Sequence, residues 1–410
     1  MKSSKVFLFV GVVLAALGLV GCGSKCPSVS PGSPPGSSGG SSGGVGGQGA
    51  CAPLGGGVGP GNITALVYFL GSSDVQAAGL GSNGSFSLLN PFTPPTTTGT
   101  GADDMYIVNK KFLYIPQPGT LTVEGFVIDR STGALTAIPG TPVSVPSGSD
   151  TIASDPQGRF LFIGNEFLPG DIAVFQIDAA TGALTAVPGS PFSFGLSSAD
   201  VFTVDGTGRF LYVGQMSTTA PVYGFAIDQN TGALTQIPGS PFSLGIATPH
   251  ADSSGKFLLG IAGFVDETTT SGDNHIYVFA IDPLSGVPVA VPGSPFATVS
   301  SPLEFAISPN GQFVYTMNLG AGGSAAAMEG FQINTTTGAL TALPGSPFSS
   351  LPMPTQCKFD QNGTEMFCAD VLFGSKFFVL NTNTGNGAVS HSVPDLTLTS
   401  GTSFPFAVTN

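Results

Sequence analysis

Three histidines, five cysteines and 24 acidic residues are the groups in this chain that could do chemistry. The acidic positions Asp103, Asp104, Asp150, Asp200 and Glu304, with Gln356 and His250, each stand shortly before a polar turn and a run of β-forming residues. A carboxylate or an imidazole held there can act as a general base, taking a proton from water as it attacks a carbonyl. Clustered carboxylates can instead hold Ca²⁺ through oxygen ligands, although no compact ligand loop stands among these. A solvated acidic rim with no chemistry is the third reading, and all three stay open at this point. His275 falls in a predicted third strand and His391 near the last outer strand, away from these positions. Gly36-Ser37-Ser38-Gly39-Gly40 has the spacing of a nucleophile elbow, but that motif needs a strand, a sharp turn and a helix around it. Here it lies in a tract of Gly, Ser and Pro, so composition alone accounts for it.

The cysteines divide by position. Lys2 and Lys5 precede an apolar run, Val6 to Val20, too short for a membrane span and suited to the core of a signal peptide. The run ends Leu19-Val20-Gly21-Cys22, which resembles a bacterial lipobox. That resemblance implies cleavage before Cys22, lipidation of its thiol and a membrane as partner. The expected address is extracytoplasmic, at the outer membrane or cell surface, since Gly23 rather than Asp follows. Residues 1–21 are thus read as signal peptide and 22–61 as a flexible tether. Gly, Ser and Pro dominate there, too little apolar surface to offset the entropy of ordering. A coil of this length reaches roughly 35 Å. Cys26 and Cys51 lie in it with pairing unknown. Cys357 and Cys368 flank Gln361-Asn362-Gly363-Thr364. If those four form a hairpin turn, Asp360 pairs with Glu365 and Cys357 faces Cys368, so a disulfide is expected.

What must position the acidic residues is a repeat. Thr181-Gly182-Ala183-Leu184-Thr185 runs on to Pro188-Gly189-Ser190-Pro191-Phe192, and the phrase returns at 231–242 and 337–348, with looser copies at 132–143 and 285–296. A period near 50 residues is that of propellers and solenoids. One repeat, 147–192, reads as four strands: Ser149–Ser154, Arg159–Gly164, Asp171–Asp178 and Ala183–Val187, with tight turns between them. Four antiparallel strands repeated in this way make a propeller blade. The second strand recurs at Thr64–Leu70, Phe112–Pro116, Phe160–Gly164, Phe210–Gly214, Phe257–Ile261, Phe313–Asn318 and Met366–Asp370, which predicts seven blades. The fold class is therefore all-β, a seven-bladed propeller over residues 62–410. Phe404–Val408 should complete the first blade beside Ile63–Leu70 and remove the open edge.

Asp129, Asp178, Asp228, Asp282 and Asn334 each precede a repeated turn, where their side chains are expected to bond turn backbone rather than a metal. Phe192, Phe242, Phe296 and Phe348 should pack between blades. Charged residues make up only 9% of the chain, net charge is −13 and there are three arginines. Nucleic acid, which wants a basic stripe, is excluded as a partner. A monomer is expected.

The combination Asp/Ser-Pro-x-Gly-x-Phe, Phe-x-Ile-Asp-x-x-Thr-Gly-Ala-Leu-Thr and Pro-Gly-Ser-Pro-Phe resembles the seven-bladed lactonase family, which includes propeller-type 6-phosphogluconolactonases and fungal carboxymuconate cyclases. The resemblance implies a lactone carbonyl as target. Members often carry His after Pro about eight residues before the turn glycine. Counting back eight gives Asp150, Asp200, Ala247, Leu303 and Thr355 here, while His250, in Thr248-Pro249-His250, stands five before Gly255. The catalytic candidates are thus Asp150, Asp200, His250 and Glu304, with no cofactor unless Ca²⁺ is bound. A phosphosugar is disfavoured, because no arginine stands at the expected mouth; Arg159 and Arg209 belong to Gly-Arg-Phe turns. Two functions follow. The first is a binding or scaffold module whose channel-mouth loops meet a small molecule, carbohydrate or protein. The alternative is a lactone hydrolase.

Overall fold

The computed structural model describes residues 62–409 apart from 71–74, 90–103, 146–148, 166–169, 216–220, 263–264, 267–268, 271–272, 319–326, 352–353, 371–375, 392 and 398–402. The expected signal peptide, tether, Cys22, Cys26, Cys51 and Asp103 lie outside the described residues. Among those described, seven antiparallel sheets follow one another along the chain, with one extra two-stranded hairpin at Val265–Asp266 and Thr269–Thr270. In six of the sheets the strands run in sequence order from an inner first strand to an outer fourth; in blade one the first place is taken by the chain's last strand. All seven predicted second strands are present, from Ile63–Leu70 to Glu365–Asp370. They are the most buried elements because a neighbouring blade covers each face; Phe160–Asn165 has no exposed residue.

The ring closes as predicted. Ser403–Thr409 pairs antiparallel with Ile63–Leu70, Val67 opposite Val408, so the last strand becomes the first strand of blade one. That pairing removes the free edges that an open array would present.

The repeated phrase is a corner that splits the outer strand in two. Leu184–Ala186 pairs with the third strand at Phe175–Ile177, the chain then detours through Pro188–Pro191, and Phe192–Leu196 returns to the same strand at Gly170–Ile172. Blades two, three, five and seven show this second piece as a short strand. The detour would orphan a donor on the third strand, and the corner serine takes it. Val174 N donates to Ser190 Oγ at 2.9 Å, and Gly224, Val278 and Gly330 donate to Ser240, Ser294 and Ser346 in the same way. A buried amide without a partner costs about 1–3 kcal/mol, which explains a hydroxyl at this place in the phrase. The Ser-Pro bonds of these corners are cis. Phe192, Phe242, Phe296 and Phe348 each pack, half-buried, into the apolar cluster joining their blade to the next.

Neighbouring blades are bolted through the Thr-Gly turns. Gly182 has φ +77°, and a Cβ there would lie 2.6 Å from the Phe112 ring of the preceding blade. The same turn accepts at its Gly182 carbonyl a hydrogen bond from Tyr114 Oη at 2.6 Å; Tyr68, Tyr212 and Tyr315 repeat the link to Gly133, Gly286 and Gly387. Burial raises the pKa of all four phenols, so they stay neutral donors. The turn aspartates do what Asx turns require. Asp178 Oδ1 accepts from Ala180 N and from the Thr181 amide and hydroxyl, and the Thr181 bonds hold its carboxyl below the usual range.

Candidate functional site

The channel is lined by the first strands of the blades, and in blades three, four, five and seven this strand ends in a second aspartate turn. Asp155, Asp205, Asp252 and Asp360 each cap the start of the following strand with one carboxylate oxygen, Asp252 Oδ1 taking the amides of Lys256 and Phe257 at 2.9 and 2.8 Å. Ser308 Oγ replaces the carboxylate in blade six. These turns set a common register for comparing blades. Two residues before the turn stand Ala153, Thr203, His250, Ala306 and Lys358, opposite Phe162, Tyr212, Leu259, Tyr315 and Phe367 on the second strands. This layer changes residue type from blade to blade, and its polar members reach toward the next first strand. Thr203 Oγ1 accepts from Ala251 N at 2.9 Å, and Lys358 Nζ donates to Phe406 O at 2.7 Å.

His250 reaches in the same direction. Its Nε2 lies 3.7 Å from Glu304 Oε1, and its ring centroid is 4.8 Å from that of Phe305. Glu304 gets there through a β-bulge between Pro302 and Glu304, which re-aims the side chain. A cleft of about 420 Å³ opens here across blades five, six and seven, with His250, Glu304, Phe305, Gln356, Lys358 and Asp360 in its wall. The His250 side chain keeps 39% of its surface open to water, yet the crowded concave wall desolvates it and pushes its pKa below the usual imidazole value. Glu304 pulls that pKa back up and Lys358 pushes it further down. The result is a neutral imidazole at pH 7 beside a carboxylate, the protonation state a general base needs.

The cleft thus gathers His250, Glu304 and Gln356 of the residues singled out in the sequence. It does not gather Asp150 or Asp200. Those stand five residues before their turns and His250 only two, an offset of roughly 10 Å along a strand, and they belong to blades three and four. Asp150 is fully buried in the first strand of its blade. Asp200 is half-buried and accepts from Ser198 Oγ at 2.8 Å. Asp104 Oδ1 accepts from Met105 N. The acidic rim expected at the strand starts is therefore in part a set of buried or locally bonded carboxylates. His275 pairs with Asp273 at 3.3 Å and His391 with Asp395 at 3.0 Å, both away from the cleft. Lys358 was missed by the sequence reading. Its signal was available: counting two back from the turn residue, rather than eight from the glycine, brings Lys358 and His250 into one layer. Cys357, next to it, faces Cys368 across the two strands and is bonded to it, Cα to Cα 4.2 Å.

Among the described residues, no group of three or more His, Cys, Asp or Glu is arranged to hold a metal ion. No helix of the described residues is long and apolar enough to cross a membrane.

Comparison with known proteins bears on the whole ring. Residues 70–248 match the family described as lactonase, seven-bladed β-propeller. No curated protein sequence matches the chain. Among solved structures it is similar to a Bacteroides uniformis protein provisionally named a 6-phosphogluconolactonase, with 15% identity, 85% of this chain and 99% of that one covered, and a TM-score of 0.62. It is also similar to the periplasmic gluconolactonase of Pseudomonas aeruginosa, with 16% identity, 84% and 99% covered, and a TM-score of 0.58. At such identities the likeness speaks for the fold alone. The match to the lactonase family covers residues 70–248, and the closed seven-bladed ring agrees with the architecture that the family's description names.

Proposed function

We propose that the ring hydrolyses lactones and that the cleft across blades five to seven is its working site. One observation carries this reading: a neutral imidazole, His250, stands 3.7 Å from the Glu304 carboxylate inside an open cleft. That separation exceeds a hydrogen bond and closes with a small rotation, as in many unliganded catalytic pairs. Glu304 then orients the ring through Nε2, and Nδ1 takes the proton of a water attacking the lactone carbonyl. Lys358 places positive charge near the oxyanion that develops, while its bond to Phe406 O keeps it in position. The ring-opened hydroxy acid leaves without a covalent intermediate.

A second reading rests on the aromatic wall. The half-buried Phe359 offers a face for a carbohydrate ring, so the cleft would serve a binding module that performs no chemistry. The full chain should be assayed against a panel of lactones alongside His250→Asn, Glu304→Gln and Asp200→Asn. Turnover lost in His250→Asn, lowered in Glu304→Gln and kept in Asp200→Asn supports the hydrolase. Turnover sensitive to Asp200→Asn alone moves the site to the strand starts. Saturable sugar binding without turnover favours the binding module. Lipidation of Cys22 and an extracytoplasmic address belong to the same proposal. Intact mass of the membrane-extracted protein tests them, and a mass retaining residues 1–21 removes the anchor.

A further inference from the structure

Blade six departs from its neighbours at a second place, on the face turned toward blade five. Three residues after the leading Phe of the second strand, blades three and four carry Ile163 and Val213, both buried. Blade six carries Thr316 there, fully buried, directly opposite Glu329 on the third strand. Asn318, two residues further along the same face, donates from Nδ2 to Glu329 Oε2 at 2.5 Å. The loop entering the first strand closes over them, Val299 N donating to the same Oε2 at 2.9 Å. Ser300 and Ser301 follow at once, and Pro302 pairs with Asn318.

The accounting of donors and acceptors does not close. Glu329, Asn318, Thr316, Ser300 and Ser301 are each at least nine-tenths buried. Thr316 Oγ1, Asn318 Oδ1, Ser300 Oγ and Ser301 Oγ have no hydrogen-bond partner. Among the described residues no Lys, Arg or His pairs with Glu329. Buried polar atoms are satisfied in native proteins, and a buried charge is paired or bound to a cation. These groups are rich in oxygen; burial raises the Glu329 pKa while the bonds from Val299 N and Asn318 lower it, and an ionised Glu329 would bring one negative charge. Calcium sites carry more carboxylate than that and take six to eight oxygens; a monovalent cation would neutralise this one.

We propose that Glu329, Asn318, Thr316 and the Ser300–Ser301 loop form a buried site for a monovalent alkali cation at the junction of blades five and six. The ion would tie the loop to the sheet and fix the start of the strand that carries Glu304. It would hold that strand in place without touching substrate, so the site stands or falls apart from lactone turnover.

The test is thermal unfolding of the full chain at constant ionic strength in sodium, potassium or choline chloride. The midpoint should rise saturably with sodium or potassium over choline. The rise should shrink in Thr316→Val and vanish in Glu329→Gln. Thr316→Val is safe for folding, because Ile163 and Val213 occupy the same register. Line broadening of the ²³Na or ³⁹K resonance by the protein, lost in Thr316→Val, reads binding directly. Equal midpoints in all three salts would overturn the proposal, leaving water as the occupant. An alkali effect that persists undiminished in both variants would do so too.

Discussion

His250 and Lys358 occupy the same layer in their blades, and their charges act against one another. Glu304 raises the imidazole pKa and Lys358 lowers it, against a larger lowering by burial. The sign of each effect fixes an outcome. Because the folded pKa lies below the ordinary 6.5, the neutral base persists at pH 7 and is lost only as pH falls through that lowered value. Lactone turnover should therefore be flat near neutrality, with an acid limb below 6.5. Glu304→Gln should move the limb to lower pH and Lys358→Met to higher pH. Initial rates against pH for the three proteins check this, and limbs that do not move would disconnect these charges from the base. Lys358→Met should also orphan the Phe406 carbonyl and cost about 1–3 kcal/mol, seen in urea unfolding. At this scale the sequence was only half legible. His250 and Glu304 could be picked as groups capable of chemistry, but their meeting depends on a bulge at Pro302–Glu304 and on the offset between blades. Neither leaves a mark in residue type. The buried state of Asp150 was hidden for the same reason, since alternation along a strand does not say which blade covers it.

Strands and turns were far easier to read, because each repeat states them again. The leading Phe, the turn aspartate and the glycine with positive φ each serve a local geometry that few other residues satisfy. What the repeat concealed was the corner. Pro-Gly-Ser-Pro-Phe looks like the end of a strand, yet the strand resumes beyond it against the same partner, with the serine filling the gap. The hairpin of blade seven adds a covalent tie in the element that carries Lys358. Its cysteines are 11 residues apart, so the closed loop is short and the tie should contribute at most about 3 kcal/mol. The double change Cys357→Ser, Cys368→Ser should lower the unfolding free energy by up to that amount, read in urea, while the ring still assembles. A variant that fails to fold would show that the tie is needed for assembly.

For the ring as a whole, closure was legible because the chain's last β-rich run has the character of a first strand, while Ile63–Leu70 has that of a second. Deleting 403–410 should strip Ile63–Leu70 of its inner partner and leave an unpaired edge in the channel wall. The expected result is a lower, less cooperative melt and higher-order species on gel filtration; a monomer with an unchanged melt would mean that blade one holds without its first strand. The same seam has a mechanical side. Val67 pairs with Val408 and Leu70 with Ser403, so residue 63 and residue 409 emerge at the same end of an antiparallel pair. A pull applied between those two points loads the ladder as a zipper, one hydrogen bond after another. The seam is then the weakest direction in which to stretch the ring. A load entering at residue 63 alone, balanced by drag over the whole body, is shared between both neighbours of that strand.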